Sequence, residues 1–355
     1  GFVKSSNSRR ANFVIMRRTF RTLNDCKMQH NAKVGLFTKP SILPKGWFMF
    51  KKILFATTAS PSCDHAARVA FDIAKRYGSE LIVFHVLGIP SRGFSRFVTD
   101  VRTGETVTFD DDYLGWVKEE MKNTYTIQLD THQQSTIEAL PGVPHTEILR
   151  AARKRDVDLI IMGSTTREEN GGTYTYRSAT GSTLQDVTKG ARCPVLIIGR
   201  PVASVWGGFS NIVFGTDFSR SADSAFLFAY KVAKTFGCTL HLFHAYDISS
   251  VHSGKIIEQD EIEDKMIEAR EKIRKMYVPR LKGFDNYEIE IWEGIPYVEI
   301  VKFARENYAD LIVMAHHTRK PSSEKMLLGS TVEQVVLRAT CPVASVNRPD
   351  KLIDM

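Results

Sequence analysis

No apolar run in this sequence approaches the roughly 18–20 residues that a helix needs to cross a bilayer. Cysteine is scarce as well, because the chain has five, widely spaced and without a Cys-x-x-Cys pair. This scarcity excludes a disulfide framework and disfavours a structural zinc site. Together these absences favour a reducing compartment, so we expect a cytoplasmic protein that has no membrane partner.

The signatures of common catalytic sites are missing too. The sequence has no P-loop GxxxxGK[ST], no nucleophile elbow GxSxG and no HExxH motif. An acidic run, Asp110–Asp112, falls in a variable stretch and is typical of a solvated face. We therefore expect no catalytic residues and no metal ligands.

Acidic residues are nearly absent from the first fifty positions. That segment has ten Lys or Arg and a single acid, Asp25, whereas the other 305 residues have 38 bases and 39 acids. The net charge of +8 therefore belongs to the amino-terminal segment, and the rest of the chain is close to neutral. A neutral globular part has no electrostatic footprint for a phosphate backbone, so we expect no nucleic-acid partner.

The basic segment itself, residues 1–48, has little hydrophobic pattern. Three interpretations stay open: a targeting or membrane-surface segment, a flexible tail, and residues that the native protein lacks. Gly1 stands where a start methionine would, and Met49 directly precedes a strong predicted strand, which favours the last two interpretations. We expect residues 1–48 to be disordered or not native, and we leave them out of the fold.

What the sequence does contain is an internal repeat. Three blocks recur in the same order, with offsets that fall from 159 to 152 and then to 148 only at predicted loops. Three blocks with matched order and matched turns indicate a tandem duplication. The matched pairs are 51–87 with 210–246, 142–167 with 294–319, and 180–201 with 328–349.

Each copy alternates apolar strands with amphipathic helices. Strands such as ILFAT and IVFGT lack polar alternation, which is typical of strands buried on both faces of a parallel sheet. Gly78 and Gly237 suit the ends of helices. The alternation predicts an α/β protein with two tandem doubly wound parallel-sheet domains of Rossmann-like type, packed as a pseudo-dimer through their last strands. The predicted parts are the extension 1–48, domain 1 at 49–200, a linker at 201–209, domain 2 at 210–348 and a tail at 349–355.

Ligands of doubly wound sheets bind beyond the carboxyl ends of the strands, and the first loop there follows strand one. Asp217 of the second copy can accept hydrogen bonds from a ribose or a base, whereas Thr58 of the first copy offers no carboxylate. Ser60 and Ser219 are predicted to cap the helix that follows each loop.

Two further loops reach the same edge. After strand four the copies read GSTTR and AHHTR, and Gly163 would let a backbone approach a ligand closely. His316 and His317 are adjacent and point in different directions, so we expect a polar contact rather than a metal site. A later GST tripeptide, at 181–183 and 329–331, places small residues at a helix start, where free amides and the helix dipole favour phosphate. Simple N-capping is the alternative interpretation.

The ordered set of these motifs resembles the universal stress protein (UspA) family, twice over. The first copy matches the family with FATTAS, FHVL, IIMGSTTR, TGST and CPVLII. The second matches with FGTDFS, FHAY, IVMAHHTR, LGST and CPVASV. The resemblance covers about 50–200 and 210–348, and it implies an adenine nucleotide alpha hydrolase-like fold.

ATP-binding members of that family are characterised by an aspartate after strand one and a G-x-x-G-(nine residues)-G-S/T pattern. Neither copy is a full match, because the first lacks the aspartate and the second lacks both loop glycines. The resemblance implies a nucleotide site in the second copy at Thr216, Asp217, Ala245, Ala315, His317, Thr318, Gly329, Ser330 and Thr331. It implies a degenerate site in the first copy at Thr58, Val86, Gly163, Thr166, Gly181, Ser182 and Thr183.

The favoured interpretation is thus a tandem universal stress protein that takes part in a stress response. We expect it to bind ATP or another adenine nucleotide in the second copy, with Mg²⁺ where the nucleotide brings it. The alternative is a module that binds no nucleotide and recruits a protein partner, and homodimerisation stays open. A slow ATPase on the same fold is less favoured, because no carboxylate pair or base for it is evident.

Overall fold

The computed structural model shows how the two copies fold. The described residues are 49–60, 63–88, 97–99, 106–108, 111–164, 168–170, 173–175, 181–199, 209–247, 259–316, 330–348, 350 and 352. The predictions for residues 1–48 therefore lie outside them, as do those for His317, Thr318, Gly329 and Thr166. Among the described helices, none combines the length and the apolar character needed to span a membrane.

The first repeat alternates strands and helices as its apolar pattern predicts. Its elements are β1 (Lys52–Ala56), α1 (Asp64–Tyr77), β2 (Glu80–Gly88), β3 (Phe97–Thr99), β4 (Thr106–Thr108), α2 (Asp111–Thr124), α3 (Thr126–Thr131), β5 (Ser135–Gly142), α4 (Pro144–Lys154), β6 (Leu159–Gly163), β7 (Glu168–Asn170), β8 (Thr173–Thr175), α5 (Ser182–Gly190) and β9 (Val195–Ile198). The antiparallel pairs β3–β4 and β7–β8 lie in the insertions of this repeat and were not predicted.

The second repeat has the same core without those two hairpins among its described residues. Its elements are β10 (Asn211–Gly215), α6 (Ala222–Phe236), β11 (Thr239–Tyr246), α7 (Gln259–Met276), a 3-10 turn (Val278–Arg280), β12 (Tyr287–Glu293), α8 (Pro296–Glu306), β13 (Leu311–Met314), α9 (Ser330–Arg338) and β14 (Val343–Ser345).

Local sequence explains where several of these helices begin and end. Gly78 and Gly237 follow α1 and α6 in the left-handed conformation, with φ of 63° and 65°. Their N–H groups donate to carbonyl oxygens of the last turn, so the predicted glycine helix ends are confirmed. Pro144 and Pro296 stand in the first turn of α4 and α8, where a missing N–H costs nothing.

Both repeats have the strand order of a doubly wound sheet. The first runs β5-β2-β1-β6-β9 and the second β12-β11-β10-β13-β14, with parallel pairing inside each. The order reverses beside β1 and beside β10, because the chain leaves each first strand in one direction and returns on its other side. The predicted α/β class and the doubly wound topology are confirmed.

The last strands of the two repeats join them. β14 pairs antiparallel with β9, Ala344 lying opposite Leu196, so all the described strands except the β7–β8 pair form one 12-stranded sheet. Asn347 extends across this seam and donates from its side-chain amide to the carbonyl of Thr188 over 2.6 Å. The predicted packing as a pseudo-dimer through the last strands is therefore confirmed.

One cluster of buried apolar side chains is shared by the two repeats. One cluster of buried side chains contains Ile160 and Ile197 of the first repeat together with Ile312 and Val343 of the second. Their burial removes apolar surface from water in both halves at once, at about 25 cal/mol for each Å². The two repeats thus pack against each other through shared buried side chains, and they are not two domains joined only by a linker.

Candidate functional site

The loop after β10 lies at the point where the strand order of the second repeat reverses. β10 pairs with β11 on one side and with β13 on the other, in register at their carboxyl ends. Thr216 and Asp217 follow β10 directly, so they lie between Ala245 of β11 and Ala315, which follows β13. Reversal of strand order opens a crevice that receives ligands in this class of sheet. The fold therefore brings these four predicted residues to one edge.

The first repeat builds the same edge from different residues. β1 pairs with β2 and with β6, again in register at the carboxyl ends. Thr58 consequently lies between Val86 and Gly163, as the sequence alignment of the copies requires. The two candidate sites therefore occupy equivalent positions in the two halves.

A buried hydrogen-bond network holds the loop of the second repeat. The Thr216 hydroxyl lies 2.8 Å from the hydroxyl of Tyr277, and it accepts from the N–H of Phe218 over 3.0 Å. The Thr216 carbonyl accepts from Nδ1 of His244 over 2.8 Å. Phe218 has a φ of 60°, an unusual conformation for a residue with a side chain. The network stabilises that conformation and so fixes the neighbouring Asp217.

The first repeat has the same network. The Thr57 hydroxyl lies 2.7 Å from the hydroxyl of Tyr125, and it accepts from the N–H of Ala59 over 2.9 Å. His85 Nδ1 donates to the Thr57 carbonyl over 2.8 Å, and Ala59 has a φ of 53°. Because both halves keep this arrangement, the shape of the loop does not depend on the residue at the aspartate position.

The sequence interpretation missed Tyr125 and Tyr277. Each follows a charged helix of low apolar content, and the signal that could have identified them is that both copies have a tyrosine there. Burial raises the pKa of both phenols above the ordinary value for tyrosine, so both stay protonated at neutral pH and able to donate.

Asp217 presents its carboxylate at the open edge. The side chain is exposed, and Oδ1 accepts from the N–H of Ser219 over 2.9 Å. The Ser219 hydroxyl in turn accepts from the N–H of Ala222 over 3.3 Å, so it satisfies one amide of the first turn of α6. The N-cap residue is Ser221, which makes no side-chain cap bond, so Ser219 does not occupy the predicted cap position. Behind this loop the Phe218 ring packs on His244, with centroids 4.5 Å apart, and the Lys272 ammonium lies 4.2 Å from the Phe218 centroid.

Thr58, the equivalent residue in the first repeat, bonds within its own loop. Its hydroxyl lies 2.7 Å from the Ser60 hydroxyl and 3.3 Å from Cys63 Sγ. The prediction that Ser60 caps α1 is wrong, because Cys63 is the N-cap residue and makes no side-chain cap bond. Two residues separate Ser60 from the helix cap, too far along the chain for the expected geometry.

The GST tripeptides begin helices in both copies. α5 starts at Ser182 with Gly181 as its N-cap residue, and α9 starts at Ser330. Because Gly181 has no side chain and the helix already includes Ser182 and Thr183, neither hydroxyl residue occupies the N-cap position of α5, and the simple N-capping alternative does not describe this helix start. Thr183 lies in the first turn of α5 and Thr331 in that of α9, where helix amides lack partners within the helix.

His316 does not contribute to the open edge. The side chain is buried, and its backbone N–H donates to Oδ1 of Asn347 over 2.6 Å at the seam between the repeats. This bond ties the backbone of His316 to the junction between the repeats. The polar contact is thus made by the backbone of His316, and its partner Asn347 lies just beyond β14 of the same repeat.

Protonation of His244 should contribute to the pH dependence of the free energy of unfolding. Burial lowers the pKa of His244 below its ordinary value of 6.5, with a further lowering by Lys272, against raising by the bond to Thr216 and by Asp217. Because the folded-state pKa lies below the unfolded one, the unfolded chain takes up the proton first as pH falls, and the free energy of unfolding declines. We expect His244→Gln to reduce the decline between about pH 7 and pH 5, as measured by urea unfolding.

His241 should also contribute to the decline of the free energy of unfolding at low pH. Burial lowers its pKa as well, so part of the decline should persist in the His244→Gln variant. An unchanged decline in that variant, relative to the parent protein, would contradict the prediction.

Two doubly wound domains, each with an open edge where its strand order reverses, define a tandem α/β protein of the Rossmann-like class. The sequence profile described as universal stress protein family matches twice, at residues 49–199 and 208–347. The chain belongs to the universal stress protein family.

Individual relatives agree with that assignment. Universal stress protein MJ0531 of Methanocaldococcus jannaschii is 32% identical over 167 residues, covering 45% of this chain and 89% of its own length. A universal stress protein structure from Archaeoglobus fulgidus DSM 4304 matches with a TM-score of 0.60 at 20% identity, over 84% of this chain and 98% of that chain. A functionally unknown protein of Pseudomonas aeruginosa PAO1 matches with a TM-score of 0.52 at 19% identity, over 86% and 95%. At these identities the solved structures support the two-domain fold alone.

Proposed function

We propose that the second repeat binds an adenine nucleotide, with ATP as the expected ligand, and that the protein acts in a stress response without fast turnover. The observation that carries the proposal is the exposed carboxylate of Asp217, held at the reversal point between β10 and β13. A carboxylate at this place in a doubly wound fold can accept hydrogen bonds from ribose hydroxyls.

The start of α9 supplies the second element of the proposed site. The chain leaves β13 at the same edge and enters α9 at Ser330, so the amino-terminal end of this helix is directed toward the crevice. Unpaired amides and the helix dipole at such an end favour phosphate. Among the described residues no group of three His, Cys, Asp or Glu is suited to a metal, so we propose that Mg²⁺ would be held chiefly by the nucleotide phosphates.

We propose that the first repeat has lost this mode of binding. Thr58 supplies no carboxylate, and its hydroxyl already bonds with Ser60 and Cys63. A ribose would have to break those bonds and would gain only a neutral hydroxyl partner. One nucleotide per chain is therefore expected.

Equilibrium binding of labelled ATP tests the assignment. Asp217→Ala removes the charged acceptor, which should weaken binding about ten- to a hundredfold, the equivalent of about 1.5–3 kcal/mol. Gly329→Val, which adds a branched side chain to the GST tripeptide, should weaken it too. Thr58→Ala is the matched control in the first repeat and should leave the affinity unchanged.

Two results would count against the proposal. The absence of saturable binding by the parent protein up to millimolar ATP would overturn nucleotide binding itself. An equal loss in Thr58→Ala and Asp217→Ala would overturn its placement in the second repeat. A rise of several degrees in Tm with ATP supports the proposal over a module that only recruits a protein partner.

A further inference from the structure

The loop after β10 has a phenylalanine at a position where the backbone favours glycine. Phe218 has a φ of 60°, in the left-handed region that residues with a side chain rarely adopt. The first repeat shows what the turn itself requires, because Ala59 has a φ of 53° and makes the same bond to the preceding threonine hydroxyl. The turn does not need an aromatic ring, so the ring of Phe218 must be explained by its contacts.

The contacts of the half-buried Phe218 ring join the loop to two other elements of the second repeat. The ring packs on that of His244 in β11, with centroids 4.5 Å apart. The ammonium group of Lys272 in α7 lies 4.2 Å from the Phe218 centroid, within the distance of a cation–π contact. These contacts attach Phe218 both to the sheet and to helix α7.

Helix α7 also supports the residue on the other side of Asp217. Tyr277 follows the last residue of α7 directly, and its hydroxyl lies 2.8 Å from the hydroxyl of Thr216. Asp217 stands between Thr216 and Phe218 in the chain. Both neighbours of Asp217 are therefore attached to the carboxyl-terminal part of one helix, which restricts the backbone from which the carboxylate projects.

The first repeat has only one of these two attachments. The hydroxyl pair of tyrosine and threonine is present, at Tyr125 and Thr57. Ala59, however, has only a methyl group and cannot make the contacts of an aromatic ring. This repeat also lacks the carboxylate, because Thr58 stands at the aspartate position. The second attachment thus occurs in the repeat that has a carboxylate to position.

Such support matters because the side chain of Asp217 is exposed. Its Oδ1 accepts from the N–H of Ser219 over 2.9 Å, a local bond that depends on the shape of the loop. A group that must first be ordered when a ligand binds loses part of its binding free energy to that ordering. A loop whose shape is fixed in advance avoids this loss.

We propose that Phe218 is a positioning residue for the nucleotide site of the second repeat. Its ring, held by His244 and Lys272, fixes the loop so that Asp217 faces the ligand in one orientation. This role rests on the nucleotide binding proposed above for the second repeat. Phe218 is assigned no contact with the nucleotide, so its effect on affinity passes through Asp217.

A double-mutant cycle in the binding of labelled ATP to the full chain tests this role. Phe218→Ala introduces the residue that has the same conformation in the first repeat, and it should weaken ATP binding about three- to tenfold. If Phe218 acts through Asp217, the double variant Asp217→Ala/Phe218→Ala should bind ATP no more weakly than Asp217→Ala alone. Losses that add in the double variant, or an ATP affinity unchanged in Phe218→Ala, would overturn the positioning role.

Phe284→Ala is the matched control for the loss of an aromatic ring. Phe284 is half-buried in the same repeat, 6.0 Å from Tyr230 between ring centroids. It precedes β12 and so lies at the edge of the sheet opposite the carboxyl ends of the strands. Phe284→Ala should leave the ATP affinity unchanged, and a loss equal to that of Phe218→Ala would show a general loss of packing and overturn the proposal.

A measurement without nucleotide separates the role of Phe218 from nucleotide binding itself. Hydrogen exchange at the Ser219 amide reports the shape of the loop, because this N–H donates to Asp217. We expect Phe218→Ala to accelerate that exchange and Phe284→Ala to leave it unchanged. If the parent protein binds no ATP while exchange is faster in Phe218→Ala, nucleotide binding fails and the fixing of Asp217 by Phe218 stands. An exchange rate unchanged in Phe218→Ala overturns the positioning role at any ATP affinity.

Discussion

Replacing Tyr277 with alanine should lower the free energy of unfolding by about 3–5 kcal/mol, the range for removing a large aromatic side chain from a core. Tyr277 is fully buried, and its ring contacts Phe214 and Phe226, with centroids 5.3 and 4.7 Å away. The change also removes the hydroxyl that pairs with Thr216, so the loop before Asp217 loses a support. Urea unfolding followed by circular dichroism measures the loss.

Tyr277→Phe separates the hydrogen bond from the packing. It keeps the ring and should cost only about 0.5–1.5 kcal/mol, the net value of a typical hydrogen bond. Tyr125→Phe makes the same change in the first repeat, where the hydroxyl pairs with Thr57 over 2.7 Å, and should cost a similar amount.

The matched pair of variants also reports on the proposed nucleotide site. If the network positions Asp217, then Tyr277→Phe should weaken ATP binding while Tyr125→Phe leaves it unchanged. Equal effects of the two variants on ATP affinity would contradict a positioning role for Tyr277. A loss from Tyr277→Ala of less than about 2 kcal/mol would contradict its place in the core.

The second large effect is expected at the seam between the repeats. Ala344 lies at the centre of the β14–β9 pairing, opposite Leu196, and has no exposed surface. Ala344→Glu would place a charged carboxylate and a longer side chain at a position that has no exposed surface and is closely packed. We expect a loss of about 3–5 kcal/mol or more, and a fall in the yield of folded protein.

Thr340→Glu is the matched control, because it adds the same charge to the exposed residue just before the Cys-Pro entrance to β14. It should change the free energy of unfolding by no more than about 0.5 kcal/mol. Hydrogen exchange followed by mass spectrometry then shows how far the damage spreads. Because one sheet and one core include both repeats, Ala344→Glu should reduce protection in peptides from β6 and β13 alike. Loss of protection confined to the second repeat would contradict a single cooperative body.

The fold could be predicted from the sequence because its signals are local. Apolar runs such as ILFAT and IVFGT indicate buried parallel strands, and Gly78 and Gly237 mark helix ends through their own backbone freedom. Because the chain contains two copies, each of these local patterns occurs twice, and the second occurrence supports the first. The short hairpins β3–β4 and β7–β8 were missed, because strands of three residues carry too little pattern to be recognised.

The candidate site could be predicted in part. The register of β10 with β11 and β13 brings Asp217, Ala245 and Ala315 to one edge, as the motif order indicated. His316 was assigned to a polar loop contact, and its backbone contact with Asn347 at the seam depends on a residue 31 positions away. Ser60 was wrongly expected to cap α1, because a serine near a helix start does not show at which residue the helix begins.

The sequence by itself therefore determined the tandem duplication, the α/β alternation and the place of the candidate loops, since these depend on spacing between neighbours along the chain. Only the tertiary structure decided which distant groups meet. The pairing of Thr216 with Tyr277 spans 61 residues, and that of Asn347 with Thr188 spans 159. Such contacts form between residues that the chain brings together only by folding, and no local pattern encodes them.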